Sequence, residues 1–138
     1  MYQVTKHIEF CYGHRLLNYD GPCRHLHGHN ARVEVDLVAD DLDQRGMVVD
    51  FSDIKQQIKG WIDVHLDHRM LLNRDDPILP LLKERGELHY VMDANPTAEN
   101  IARLIFNKAR ARGLPVVEVR LWETPTSFAA YRLSGPSG

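Results

Sequence analysis

The sequence has 138 residues and a mass of 15.9 kDa, enough for one domain that buries roughly two-thirds of the surface its unfolded chain exposes. Charged residues of both signs make up 26% and the net charge is -2, with no Lys/Arg-rich run, which argues against nucleic acid as a partner. No apolar leader opens "MYQVTKHIEF" and no apolar run approaches the ~20 residues that cross a bilayer, so the expectation is a soluble, cytoplasmic protein with no membrane partner. Two cysteines, Cys11 and Cys23, without a secretion signal favour thiol chemistry over a disulfide.

Residues 2 to 14 alternate, with Val4, Ile8, Phe10 and His14 on one parity and Lys6 breaking the pattern, which predicts a half-buried strand. "NYDGP" at 18 to 22 is turn chemistry. From residue 27 the alternation returns: His27, His29, Ala31, Val33, Val35 and Leu37 share one face, and Arg32, Glu34 and Asp36 the other. A polar connection at 39 to 47 leads to a helix carrying Ile54, Ile58, Trp61, Ile62 and His65 at helical spacing, with Asp50 as N-cap. The segment up to 93, with Pro77, Pro80 and Gly86, is expected to be irregular.

"NPTAENIARLIFNKARARG" repeats the helical pattern through Ile101, Leu104, Ile105 and Ala109, starting near Pro96 and Thr97 and stopped by Gly113. Val117, Val119, Leu121 and Glu123 then alternate against Glu118, Arg120 and Trp122, and "SFAAYRL" returns as the second strand of a hairpin. The expected fold is α+β, a single domain over 1–133 with a flexible tail at 134–138. Its order is ββααββ, a four-stranded antiparallel sheet with two helices on one face. Such a sheet leaves unpaired edges, which points to oligomerisation.

The chemistry concentrates in "CRHLHGHN" at 23 to 30. Side chains two apart on a strand point the same way, so His27 and His29 can share one ion. His25, His27 and His29 together spread along ~13 Å of strand, too far for Zn–N bonds of ~2.1 Å, so His14 on the preceding strand is the better third ligand. Three imidazoles with an open fourth position are the pattern of a catalytic zinc. Cys23 is either a thiolate base tuned by that ion or a fourth ligand that closes the site, and spacing leaves both open. Asp67–His68 sets a carboxylate beside an imidazole, suited to proton transfer, with a solvated helix end as the plain alternative. Glu123 aims a carboxylate toward the buried side, either past the sheet's edge in water or onto a cationic or amide-like ligand group. His7, His65 and His89 have no comparable context.

"HIEFCYGHRL", "CRHLHGHN", "VVDFSDIK", "LDHRMLLN", "NPTAENIA" and "WETPTSFAAY" together resemble the 6-pyruvoyl-tetrahydropterin synthase and 6-carboxy-5,6,7,8-tetrahydropterin synthase family, in order, from about residue 5 to 131. The resemblance implies a tunnelling-type fold in which sheets of several subunits join into a barrel, a homo-hexamer built as a dimer of trimers, with active sites between subunits. It implies Zn2+ held by His14, His27 and His29, Cys23 as proton acceptor, Asp67 and His68 as a proton relay, Glu123 as the pterin anchor counted with that relay, and Thr97 at the pterin.

The implied reaction is a zinc-dependent conversion of 7,8-dihydroneopterin triphosphate to 6-carboxy-5,6,7,8-tetrahydropterin, acetaldehyde and triphosphate, in queuosine biosynthesis. The alternative within the family eliminates triphosphate to give the 6-pyruvoyl product. Outside that lyase chemistry stand a non-catalytic zinc module closed by Cys23 and an aldolase acting on a non-phosphorylated pterin. Two positions depart from the family pattern: Tyr12, within Cys-Tyr-Gly where small residues usually precede His14, and Ala31, where an aromatic residue commonly follows His-Gly-His-Asn; His25 has no family role.

Overall fold

A computed structural model describes residues 1–134; of the expected tail at 134–138, all but Ser134 lies outside the described residues. Two long strands, β1 (Tyr2–His14) and β2 (His27–Ala39), pair antiparallel along their whole length, from Tyr2 opposite Ala39 to His14 opposite His27. The chain then forms α1 (Phe51–Ile54), a wide five-residue turn Lys55–Lys59, and α2 (Gly60–His65), which together fill the span expected for one helix. Next come β3 (Arg69–Asn73), α3 (Leu79–Glu84), β4 (His89–Met92), α4 (Ala98–Ala111), β5 (Val116–Thr124) and β6 (Ser127–Arg132).

Among the described residues the sheet has six strands in the order β4-β3-β1-β2-β5-β6, which corrects the four-stranded antiparallel expectation. β3 and β4 pair parallel, β3 on the end of β1 with Tyr12, Gly13 and His14 opposite Arg69, Met70 and Leu71. Five and four residues are too short for alternation to stand out, and the prolines and glycine that suggested irregular chain fall between the two strands, at α3 and its flanks. Among the described residues, both outer strands, β4 and β6, keep one edge without a neighbour.

One sheet face carries Ile8, Phe10, Tyr12, Ala31, Val33, Val35, Leu37, Val119 and Leu121, all buried, against Ile54, Ile58, Trp61 and Ile62 from α1, the wide turn and α2 and Ile101, Ile105 and Phe106 from α4. α1, α2 and α4 therefore lie on one face, as their apolar residues require. The Asp50 carboxylate accepts from the Ser52 amide (2.9 Å), forming the expected cap, and the Thr97 hydroxyl accepts from the Asn100 amide (3.1 Å), capping α4 near its expected start. Gly113, at φ 82°, ends α4 in the left-handed region that favours glycine. A register shift between Asp36 and Leu37 brings Val116 into the core beside the expected alternation of β5.

The other sheet face is a charged layer. Arg120 donates to both oxygens of Asp36 (2.6 and 2.9 Å) and pairs with Glu118, while Thr5 also donates to Asp36 (2.7 Å) and His7 meets Glu34 (2.9 Å). Asp36 is 7% exposed, so these bonds replace the water its carboxylate loses.

Candidate metal centre and active site

His14 and His27 are cross-strand partners at the end of the β1–β2 ladder, and His29 stands opposite Tyr12 two steps in. Gly28, the partner of Gly13, lies close against β1, where a Cβ would stand 3.0 Å from the Tyr12 carbonyl oxygen; a Cβ on Gly13 would instead meet the movable Met70 methyl of β3 at 2.7 Å. The three rings cluster with centroids 4.5 to 5.1 Å apart, as the alternation and the pairing of the first two strands predict.

Their hydrogen bonds settle which nitrogen faces the centre. His14 Nδ1 donates to the Pro96 carbonyl and His27 Nδ1 to the His25 carbonyl, both at 2.7 Å. A carbonyl only accepts, so Nδ1 carries the hydrogen and Nε2 keeps a lone pair. Among the described residues, the Nε2 atoms of His14, His27 and His29 are buried without a hydrogen-bond partner, and the three residues each offer one ring nitrogen within 4.8 Å of the others. Three converging ring nitrogens, two of them on rings anchored through Nδ1, are the arrangement a metal ion takes. Burial holds the His14 imidazole below its ordinary pKa, with the Pro96 carbonyl and Glu123 opposing and His27 and His29 adding, which keeps this ligand neutral at neutral pH.

Glu123 reaches the same site from β5. Its carboxylate oxygens stand 3.9 Å from His14 Nε2 and 3.8 Å from His29 Nε2. Tyr12, 3% exposed, donates its hydroxyl to Glu123 Oε1 at 2.9 Å. Burial and then the Glu123 charge push the Tyr12 pKa far up, so the phenol stays protonated and the bond keeps its direction. Of the two readings of Glu123, the geometry brings it beside the histidines, with a side chain 26% exposed. Tyr12 was legible only as a departure from a family pattern, although it shares parity with His14.

The "NPT" segment serves this centre in three ways. Asn95 clamps the loop after β1, accepting from the Leu17 amide (2.9 Å) and donating to the Leu17 carbonyl (2.8 Å). Pro96 orients His14, and Thr97 commits its hydroxyl to the α4 cap. Arg15 adds an ion pair to the buried Asp76, which holds that carboxyl below its usual range. The long-range pairings of Asn95, Pro96 and Arg15, 61 to 82 residues apart, have no periodic signature in sequence.

Cys23 sits half-buried in a 3-10 turn, Pro22–Arg24, and its thiol joins neither of the two ligand clusters among the described residues. His25 is exposed and acts through its backbone carbonyl on His27, its ring accepting from Arg24 (3.2 Å). Asp67 and His68 pair at 3.0 Å just after α2, with His68 at φ 60°. Burial raises the Asp67 pKa, but the Cys11 amide and His68 outweigh it and hold the carboxyl below its ordinary value. This pair gathers with Cys11, whose side chain alternates to the face away from His14. A cleft of about 700 Å3 reaches both groups, lined by Cys11, Gly13, His27, His29, His68 and Met70 among others. The structure thus joins Glu123 to the histidines and leaves Cys23 and the Asp67–His68 pair apart from them within one chain. His7, His65 and His89 lie elsewhere, on Glu34, on Trp61 and on the Glu87 carbonyl.

Comparison with known proteins defines the class. The family model for 6-pyruvoyl tetrahydropterin synthase matches residues 3–134, and this chain belongs to that family. It is 36% identical over 135 residues to the 6-carboxy-5,6,7,8-tetrahydropterin synthase of Rickettsia bellii, covering 93% of this chain and 98% of that protein. Among solved structures, an uncharacterised protein from Wolinella succinogenes superposes with a TM-score of 0.79 at 30% identity, covering 96% of this chain and 98% of that one. The 6-pyruvoyl tetrahydropterin synthase of Caenorhabditis elegans shares the fold at a TM-score of 0.72 and 23% identity, covering 96% of each chain. No helix among the described residues is long and apolar enough to cross a membrane.

Proposed function

We propose that this chain is a zinc-dependent lyase that takes 7,8-dihydroneopterin triphosphate and water to 6-carboxy-5,6,7,8-tetrahydropterin, acetaldehyde and triphosphate, in queuosine biosynthesis in the cytoplasm. The observation that carries the reading is the set of three partnerless Nε2 atoms at His14, His27 and His29 with a carboxylate beside them. Relatives named 6-carboxy-5,6,7,8-tetrahydropterin synthase support the product, at 36 to 38% identity over nearly the whole chain.

His14, His27 and His29 would hold the ion, which when bound supplies a Lewis acid for oxygens of the substrate side chain. Glu123, its carboxylate fixed by Tyr12, accepts paired hydrogen bonds from the guanidine-like edge of the pterin, and Thr97 lies at the ring. Cys23 accepts a proton from the side chain as thiolate, and His68, oriented by Asp67, carries protons onward. A complete site draws on neighbouring copies, and the open edges of β4 and β6 offer the joints for a hexamer.

Incubation of the zinc-loaded protein with 7,8-dihydroneopterin triphosphate tests the reading. Acetaldehyde with the 6-carboxy product supports it. Triphosphate release without acetaldehyde transfers the chain to the 6-pyruvoyl branch, and turnover of the non-phosphorylated pterin alone indicates an aldolase.

A further inference from the structure

The second ligand cluster has no part to play in holding the ion at the histidines. Cys11 Sγ, an Asp67 oxygen and a His68 ring nitrogen lie within 4.8 Å of one another. We propose that Cys11, Asp67 and His68 form a second cation site for thiophilic divalent ions such as Zn2+, Cd2+ or Co2+, separate from the His14–His27–His29 centre.

Thiolate, carboxylate and imidazole are all ligands of such ions, and the thiolate sets the preference for softer metals. With metal–ligand bonds of about 2.0 to 2.3 Å, ligand atoms around a tetrahedral ion stand roughly 3.3 to 3.7 Å apart. Asp67 Oδ2 and His68 Nδ1 are already 3.0 Å apart, so small side-chain movements make room. The other Asp67 oxygen accepts from the Cys11 amide at 3.1 Å, leaving Oδ2 for the ion.

The cluster is also held in advance. The His68 amide donates to the Cys11 carbonyl at 2.7 Å, and the Asp67 amide to the Ile62 carbonyl at 2.9 Å. His68 takes a left-handed backbone at φ 60°, a conformation a non-glycine residue keeps only when its surroundings enforce it. The reciprocal bonds with Cys11 supply that enforcement and fix the three ligands on one scaffold. The site is reachable: the His68 side chain is 74% exposed, and a cavity of about 640 Å3 lined by Cys11, Asn30, Asp67, His68 and Trp122 among others leaves space for water as a further ligand.

A consequence rests on the proposed lyase reading. An ion bound to His68 takes up the lone pair that proton transfer needs, so filling this site slows turnover.

Cobalt titration of the full chain separates the two centres, because only a thiolate ligand produces a sulphur-to-cobalt charge-transfer band and the histidine centre contains none. The wild-type protein is expected to bind a second equivalent of Co2+ with that band. Cys11→Ser should lose the band and weaken the second equivalent by at least about 10-fold, while keeping the first. His68→Ala, at an exposed position, should weaken it likewise, with thermal melts confirming that both variants fold. Cys23→Ser should keep the band, and His27→Ala should keep it while losing binding at the histidines. The site is refuted if the wild type shows no band, if the band survives Cys11→Ser, or if it vanishes in Cys23→Ser. A full band with undiminished turnover supports the site and contradicts the relay role of Asp67–His68, so the two ideas fail separately.

Discussion

Removing the Tyr12 hydroxyl isolates one bond in the proposed substrate pocket. Tyr12→Phe keeps the ring that packs against Phe10, at a centroid distance of 5.4 Å, and deletes only the donor to Glu123 Oε1. A hydrogen bond to a charged acceptor contributes roughly 1.5 to 3 kcal/mol. The Glu123 side chain is 26% exposed, so water replaces part of the loss and the low end, about 1.5 kcal/mol, applies. If Glu123 anchors the pterin, its looser carboxylate should weaken pterin binding about 10-fold, since ~1.4 kcal/mol is a factor of ten. Fluorescence titration with a non-reacting pterin reads that change, and steady-state kinetics should show it as a raised KM with kcat within about 3-fold. Unchanged binding and KM in a folded variant would refute the role of the Tyr12–Glu123 bond.

Further predictions test the metal centre and the scaffold. His27→Ala should abolish stoichiometric zinc binding by the histidine centre, while His25→Ala should leave it intact, because His25 orients His27 through its carbonyl and not its ring; atomic absorption after dialysis checks both. Cys23→Ala should retain zinc and fold but lose turnover; loss of zinc together with unfolding would instead identify the thiol as a closing ligand of a structural site. The carboxyls of Asp36, Asp67 and Asp76 are held below their ordinary pKa of 3.8 in the folded chain, so the stability they contribute is present above about pH 4 and is lost as pH falls through the lower folded values. Thermal melts from pH 6 down to pH 3 should show falling stability, and Asp76→Asn should flatten part of that slope, whereas a melting temperature independent of pH in this window would contradict the assignment.

The long elements were legible because their periodicity is long. Thirteen residues each in β1 and β2 repeat the two-residue alternation often enough to reveal the face that carries His14, His27 and His29, and α4 shows its stripe from Ile101 to Ala109. β3 and β4 were hidden because strands of four or five residues offer too little alternation to read. The histidine cluster could be read from strand parity alone, and the Glu123 carboxylate from the same rule on β5. What fixes them was not legible: the Pro96 carbonyl behind His14 and the Arg15–Asp76 pair join residues brought together only by tertiary packing. Cys11 went unrecognised beside the Asp67–His68 pair because its neighbours arrive from the end of α2, 56 residues further along the chain.

Product analysis bears most directly on the proposed lyase. With zinc loaded and 7,8-dihydroneopterin triphosphate supplied, the account predicts acetaldehyde and 6-carboxy-5,6,7,8-tetrahydropterin in equal amounts, both lost in His27→Ala. Triphosphate released with no acetaldehyde, or acetaldehyde formed undiminished by His27→Ala, would contradict it.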